Sequence, residues 1–210
     1  MKEQPGRIRY LTPEEAEKLL VACDPQSLRE KLSNTGRSLS NLMNIYLKPI
    51  VLIALNSGMR RGEILRLKWK NIDFQARRIT IENTKNNERR TVYMNETLCR
   101  TLKSLPIHLH SEIVFPDING NMLTVAFERA CRRGGIEDFR FHDLRHTFAS
   151  YLTMGGANLR TVQTLLGHKD VRMTIRYSHL SPEYLNEAVR TLEKDLVLIS
   201  NSHYLDTGGK

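Results

Sequence analysis

NIDFQARRITIENTKNNERRTVYM, Asn71 to Met94, is the stretch in which the chain stops reading as helix. Ile72 and Phe74, Ile79 and Ile81, then Val92 and Met94 are each spaced two apart, and polar turns separate the pairs. Period two puts apolar side chains on one face of a strand, so the spacing predicts a small three-stranded antiparallel sheet. Its last turn, Asn83 to Asn87, projects Lys85 from a hairpin tip.

On both sides of this stretch the pattern is helical. Thr12-Pro13-Glu14-Glu15 supplies an N-cap, a first-turn proline and a capping-box glutamate for a helix carrying Leu19, Leu20 and Val21. The ordered domain is therefore expected to begin near Leu11, after a linker over 1–10. Residues 24–40 read as a polar loop punctuated by Pro25, Asn34 and Gly36. Ile45 to Asn56 is apolar enough for a buried helix ending at Ser57-Gly58, and a second helix is expected from Arg61 to Trp69. After the sheet, helices are expected over Glu96 to Leu105, Leu123 to Arg133, Asp143 to Met154, Leu159 to Leu166 and Val171 to about Tyr177. Glycines follow three of them, Gly134, Gly155 and Gly167. A last helix opens at Ser181-Pro182 and runs over about 182–199, before a polar tail over 201–210 that is expected to be disordered. The expected class is α+β, mainly α-helical, in one domain over 11–200.

Composition bounds the partners. Lys and Arg number 32 against 23 Asp and Glu, a formal charge of +9 with an isoelectric point near 9.6. That balance favours a polyanion, nucleic acid ahead of an anionic membrane surface. The pairs Arg60-Arg61, Arg77-Arg78, Arg89-Arg90 and Arg132-Arg133 are spread along the chain, so a folded basic face is expected and not a basic tail. Cys23, Cys99 and Cys131 are odd in number and far apart, which fits neither a disulfide framework nor a zinc site and suits a reducing cytoplasm. The first ten residues lack an apolar export region, and no run approaches a membrane span.

Taken singly, the candidate site residues are weak. His142 and Arg145 lie three apart at a helix start, where a phosphate can sit, but His142 could merely cap the helix and Arg145 pair with Asp143 or Glu137. His142 and His146 have the spacing of metal ligands, yet HExxH is absent and no third ligand is evident. Arg60 follows a helix junction, Lys85 sits on a turn, His168 follows the stop at Gly167, and Tyr177 closes a short helix. Together they are another matter. Two arginines, two histidines, a lysine and a tyrosine are the groups that metal-free phosphodiester transfer needs: guanidinium forks for the charge on the nonbridging oxygens, a nucleophile, a base and an acid.

The same residues resemble the tyrosine recombinase, or phage integrase, family. SGMRRGEIL resembles its first arginine motif, with Arg60 and the supporting acid Glu63; TKNNERRTV resembles its sheet lysine motif, with Lys85. HDLRHTFAS is similar to its HxxR box, with His142, Asp143 and Arg145; LLGHKD supplies His168, and IRYSHL supplies Tyr177. The resemblance implies the DNA breaking-rejoining enzyme fold and a Tyr177 nucleophile that forms a 3′-phosphotyrosyl bond. In that reading Arg60 and Arg145 clamp the phosphate and His168 adds a donor. Lys85 protonates the leaving oxygen, His142 assists proton transfer, Glu63 orients Arg60, and Asp143 supports the HxxR turn.

The implied partner is double-stranded DNA, with no cofactor, no metal and no membrane. The implied assembly is a homo-oligomer on DNA, a tetramer linked through the C-terminal helix, whose stripe is Leu185, Ala188, Val189, Leu192 and Leu196. The family's N-terminal DNA-binding domain would precede this chain, so a catalytic fragment is the favoured reading over a naturally short member. The expected location is the cytoplasm, at the nucleoid. Three rivals remain: topoisomerase-like relaxation by the same residues, a DNA-binding module without turnover, and a metal-dependent nuclease using His142 and His146.

Overall fold

The structure is a computed structural model that describes residues 8–25, 43–83 and 88–180. The hairpin tip with Lys85, most of the expected loop over 24–40, the helix over about 182–199 and the tail over 201–210 lie outside the described residues.

Helix α1 (Pro13–Ala22) begins with the expected capping box: Glu15 N–H donates to Thr12 Oγ1 at 3.2 Å, and Thr12 N–H donates to Glu15 Oε2 at 3.0 Å. The central element is α2 (Met43–Ser57). Leu47, Ile50, Val51, Ile53 and Ala54 are buried around it, each large side chain worth about 1.5–3 kcal/mol of burial. It packs on α4 (Glu96–Lys103), α5 (Gly120–Arg133) and α6 (Asp143–Met154). α1 lies against α5.

The sheet forms in the predicted place. β1 (Ile72–Asp73), β2 (Arg78–Asn83) and β3 (Glu88–Tyr93) pair antiparallel in the order β1-β2-β3, with Ile79 opposite Val92 and Ile81 opposite Arg90. Ile79, Ile81, Val92 and Met94 are buried. β3 starts directly after the expected turn over Asn83 to Asn87, with Arg89 and Arg90 inside the strand.

The helix expected over Arg61 to Trp69 is shorter than predicted. α3 (Arg61–Leu65) stops, and the chain turns extended. Val114 N–H donates to Leu67 O at 2.8 Å and Trp69 N–H donates to Glu112 O at 3.0 Å, around a bridge between Lys68 and Ile113. These backbone groups have a distant partner in place of the next helical turn, and a 3-10 turn, Trp69–Asn71, leads into β1. α5 also starts sooner than Leu123, because Asn119 caps it through bonds from the N–H groups of Asn121 and Met122.

After α6 comes α7 (Leu159–Leu166), closed by Gly167 in the left-handed conformation at φ 66°. The helix expected over Val171 to Tyr177 is only one turn, α8 (Arg172–Ile175), followed by a 3-10 turn, Ser178–Leu180. A second, small apolar cluster joins α6, α7 and this last segment: Ala149, Val162, Leu166 and Tyr177, with Phe148, Leu152 and Leu180 around them.

Candidate active site

Arg145 is the centre of the site. It lies in the first turn of α6 and is only 3% exposed. Its guanidinium does not pair with Asp143 or Glu137. Nη1 donates to Gly58 O at 2.5 Å and Nη2 to Leu166 O at 2.6 Å. These carbonyls end α2 and α7, where helix carbonyls lack intrahelical donors and carry partial negative charge. Two of five guanidinium N–H groups are thereby used, and no carboxylate pairs with Arg145 among the described residues. Burial, then the charges of Arg60 and Arg90, push its pKa down to about 9, so it stays cationic at neutral pH. A buried cation hydrogen-bonded only to carbonyls, with the Glu63 charge acting on it from nearby, retains donors for an anion.

Two glycines make the clamp possible. Gly58 has φ 61°, and a Cβ there would lie 2.5 Å from the Phe148 ring. At Gly167 a Cβ would lie 2.6 Å from Arg90 Cδ. These close approaches put the Gly58 and Leu166 carbonyls where Arg145 reaches both.

Arg60 caps the start of α3 and is partly exposed. Glu63, one turn on, accepts the Arg60 N–H at 2.8 Å through Oε2 and Arg60 Nη1 at 3.0 Å through Oε1. Burial pushes the Glu63 carboxyl up, but bonds from Arg90 and Arg60 outweigh it and hold the group below its ordinary pKa. Arg90 reaches the same carboxylate, Nη2 to Oε2 at 2.7 Å.

His168 emerges after Gly167. Its carbonyl accepts from Gln163 Nε2 at 3.1 Å, and its Nδ1 pairs with the buried Thr174 Oγ1 at 2.9 Å. Partial burial, then Arg145 and Arg60, push its imidazole down to about 4. His142 precedes α6 without capping it through its side chain. Partial burial and then Arg145 hold it below the ordinary histidine value. Asp143 Oδ2 accepts the Arg140 N–H at 2.7 Å, which closes the turn before α6.

Tyr177 is 1% exposed, inside the small apolar cluster. Its hydroxyl lies 2.6 Å from His146 Nδ1. Burial raises the phenol pKa against the opposing pull of Arg176 and Arg145. Burial, then His142, pushes His146 down to about 4. At neutral pH a protonated phenol therefore donates to a neutral imidazole. The His142 and His146 rings meet edge to face at 5.1 Å, and the metal-ligand spacing has put one Nδ1 on the tyrosine.

The structure thus brings Arg60, Glu63, His142, Asp143, Arg145 and His168 to one region, with the Tyr177 hydroxyl turned inward to His146. Lys85 lies outside the described residues. Sequence reasoning missed His146 as the tyrosine's partner, Arg90 as a second partner of Glu63, and Gln163 and Thr174 as supports of His168. Only Arg90 left a signal: it is in phase with Val92 on β3, where a strand's buried face continues.

A mainly helical α+β domain with a buried arginine clamp beside a histidine-bonded tyrosine is the class defined so far. The chain belongs to the phage integrase family, whose model matches residues 9–184. The integrase of Salmonella phage P22 is 35% identical over 205 residues, covering 89% of this chain and 48% of that protein. The integrase of Escherichia phage 186 is 38% identical over 159 residues, covering 74% and 44%. Among solved structures, the catalytic domain of bacteriophage HP1 integrase superposes with a TM-score of 0.66 at 29% identity, covering 88% of this chain and 95% of that one. The chain spans about half the length of the curated relatives it matches. Among the described residues, no helix is long and apolar enough to cross a membrane.

Proposed function

We propose that this chain is the catalytic portion of a site-specific DNA recombinase that breaks and rejoins strands through Tyr177. The observation that carries the reading is Arg145, a buried guanidinium pinned by two carbonyls with unused donors and no carboxylate among the described residues. A scissile phosphate supplies the missing anion, and Arg60 and Arg145 stabilise its nonbridging oxygens as charge grows on them.

Tyr177 Oη loses its proton and attacks phosphorus, while the bond to the 5′ oxygen breaks and that oxygen takes a proton from Lys85. A 3′-phosphotyrosyl bond replaces the phosphodiester. A 5′-hydroxyl of the partner strand then attacks phosphorus, the tyrosine leaves and regains its proton, and the phosphodiester is restored. His142 assists the proton transfers at the tyrosine, and His168 adds a donor to the clamp. The phosphoester bond is kept throughout, so no nucleotide is hydrolysed, and Arg60 and Arg145 supply the charge stabilisation that a metal would otherwise bring. Before cleavage the Tyr177 hydroxyl leaves His146 and turns to the clamp.

The substrate is double-stranded DNA in the cytoplasm, at the nucleoid. Four copies work together there, linked through the apolar stripe of residues 185–196, with a DNA-binding domain on the N-terminal side. Strand exchange is favoured over relaxation because relatives of this chain carry the names integrase and shufflon-specific DNA recombinase. The test is an SDS-quenched incubation with supercoiled plasmid in EDTA. Covalent protein on 3′ DNA ends is expected with the wild type and absent with Tyr177→Phe. Equal adduct from both, or ends carrying protein on the 5′ side, refutes the assignment.

A further inference from the structure

Arg90 is a charged residue on the buried side of the sheet. It stands opposite Ile81 and two positions from Val92, so all three share the face that packs inward. A charge is placed there against the cost of desolvating it only where partners hold it. Its partners come from two other elements. Nη2 donates to Glu63 Oε2 at 2.7 Å, and Nη1 donates to Leu165 O at 3.0 Å, while its Cδ fills the space that a Cβ on Gly167 would take. Glu63 belongs to the element that carries Arg60. Leu165 and Gly167 belong to the one that ends at His168.

We propose that Arg90 is a positioning residue for strand cleavage, setting both the net charge of the cluster around Arg60 and the place of His168; the proposal rests on the clamp reading above. Glu63 Oε2 is shared by Arg90 and the Arg60 backbone, and Oε1 takes the Arg60 side chain. With Arg90 present, two guanidinium groups face one carboxylate, and a net positive charge remains for the phosphate. Without Arg90, Glu63 neutralises Arg60 and presents its own charge to the incoming anion. Arg90 and Arg145 also occupy the adjacent carbonyls of Leu165 and Leu166, so together they fix the left-handed turn at Gly167 from which His168 projects.

The test uses Arg90→Gln and Arg90→Lys in the full chain, with melting temperature recorded for each. On a duplex carrying the cleavage position mapped in the plasmid assay, Arg90→Gln is expected to lower single-turnover adduct formation about 100-fold. Arg90→Lys, which restores a charge to Glu63, recovers part of the loss. The discriminating substrate is the same duplex with a methylphosphonate at that position, which removes the nonbridging charge that the clamp serves. The Arg90→Gln deficit is expected to shrink to less than about 10-fold there; an undiminished deficit means Arg90 is only structural and overturns the proposal. Adduct formation by the wild type and both variants alike overturns it too, while leaving the cleavage reading intact. Should the wild type form no adduct, inorganic phosphate followed by NMR at the His168 imidazole still decides. Phosphate shifts that resonance in the wild type and much less in Arg90→Gln if Arg90 positions the site, and identical responses reject the role.

Discussion

The clamp and the tyrosine segment lie side by side but are built differently. Arg145 and Arg90 each bridge separate elements, and their carbonyl partners are ends of long or well-capped helices. Tyr177 hangs on one side-chain bond to His146 and a small apolar cluster, between a one-turn helix and a 3-10 turn. The neighbouring Val171, Met173 and Ile175 are about half exposed. Electrostatic stabilisation works best when the dipoles are fixed before the charge appears. A nucleophile, by contrast, can be held back and released, and the segment with the fewest buried contacts is the one that moves at least cost. In the proposed reading the rigid contacts serve the phosphate, and the tyrosine is the part that is released.

The largest effect should come from breaking the clamp. Arg145→Ala removes the guanidinium proposed to hold the phosphate and leaves the Gly58 and Leu166 carbonyls without their donors. Adduct formation is expected to fall at least about 1,000-fold, with Arg145→Lys intermediate in stability but no better in rate, since one ammonium cannot span both carbonyls and the phosphate. An active Arg145→Ala would show that the guanidinium serves the fold and not the chemistry.

Next in size is Gly58→Ala. The left-handed backbone and the 2.5 Å approach to Phe148 together are expected to cost about 3 kcal/mol. That lowers the melting temperature by roughly 6–12 °C in a chain of this size. No change would mean that the α2 end is softer than the comparison holds.

Much of the fold was readable from local pattern, and most of what escaped around the candidate site depended on partners far away in the chain. Ile79, Ile81 and Val92 betrayed the sheet because period two survives any context. Arg60, Arg145, His168 and Tyr177 stood in motifs whose letters single them out without any knowledge of their partners. Leu67 and Trp69 were misread as helix because their backbone partners lie at 112–114. Arg90 was counted only as part of a basic pair, because its partner Glu63 lies 27 residues earlier. The partners of Arg145 are carbonyl groups, which every residue owns and no sequence marks. His146 was noticed for its spacing from His142, yet its partner lies 31 residues further on.

Acid should act on the histidines before it reaches the carboxylates. His146 and His168 are pushed to about 4, burial being the main cause, and His142 is held below its ordinary value. Between pH 6.5 and 4 the unfolded chain binds protons that the folded one refuses, so stability falls as pH falls through that window and is flat just above it. Melting temperature against pH should show this slope, and His146→Phe should flatten part of it. A melting temperature that holds or rises on acidification to pH 5 would mean that these rings are charged in the folded protein.

The smallest effect is the sharpest test of the comparison. His146→Phe keeps a ring in place but removes the acceptor of the Tyr177 hydroxyl. One neutral hydrogen bond is worth about 1 kcal/mol, or roughly a five-fold shift between the buried and released tyrosine. Nitration of Tyr177 by tetranitromethane, followed by peptide mapping, should therefore quicken about five-fold, while phosphate still shifts the His168 resonance as in the wild type. If instead the phosphate response is lost together with the tyrosine's protection, the two regions are one cooperative unit. The rigid clamp and the releasable nucleophile would then not be separable properties of this fold.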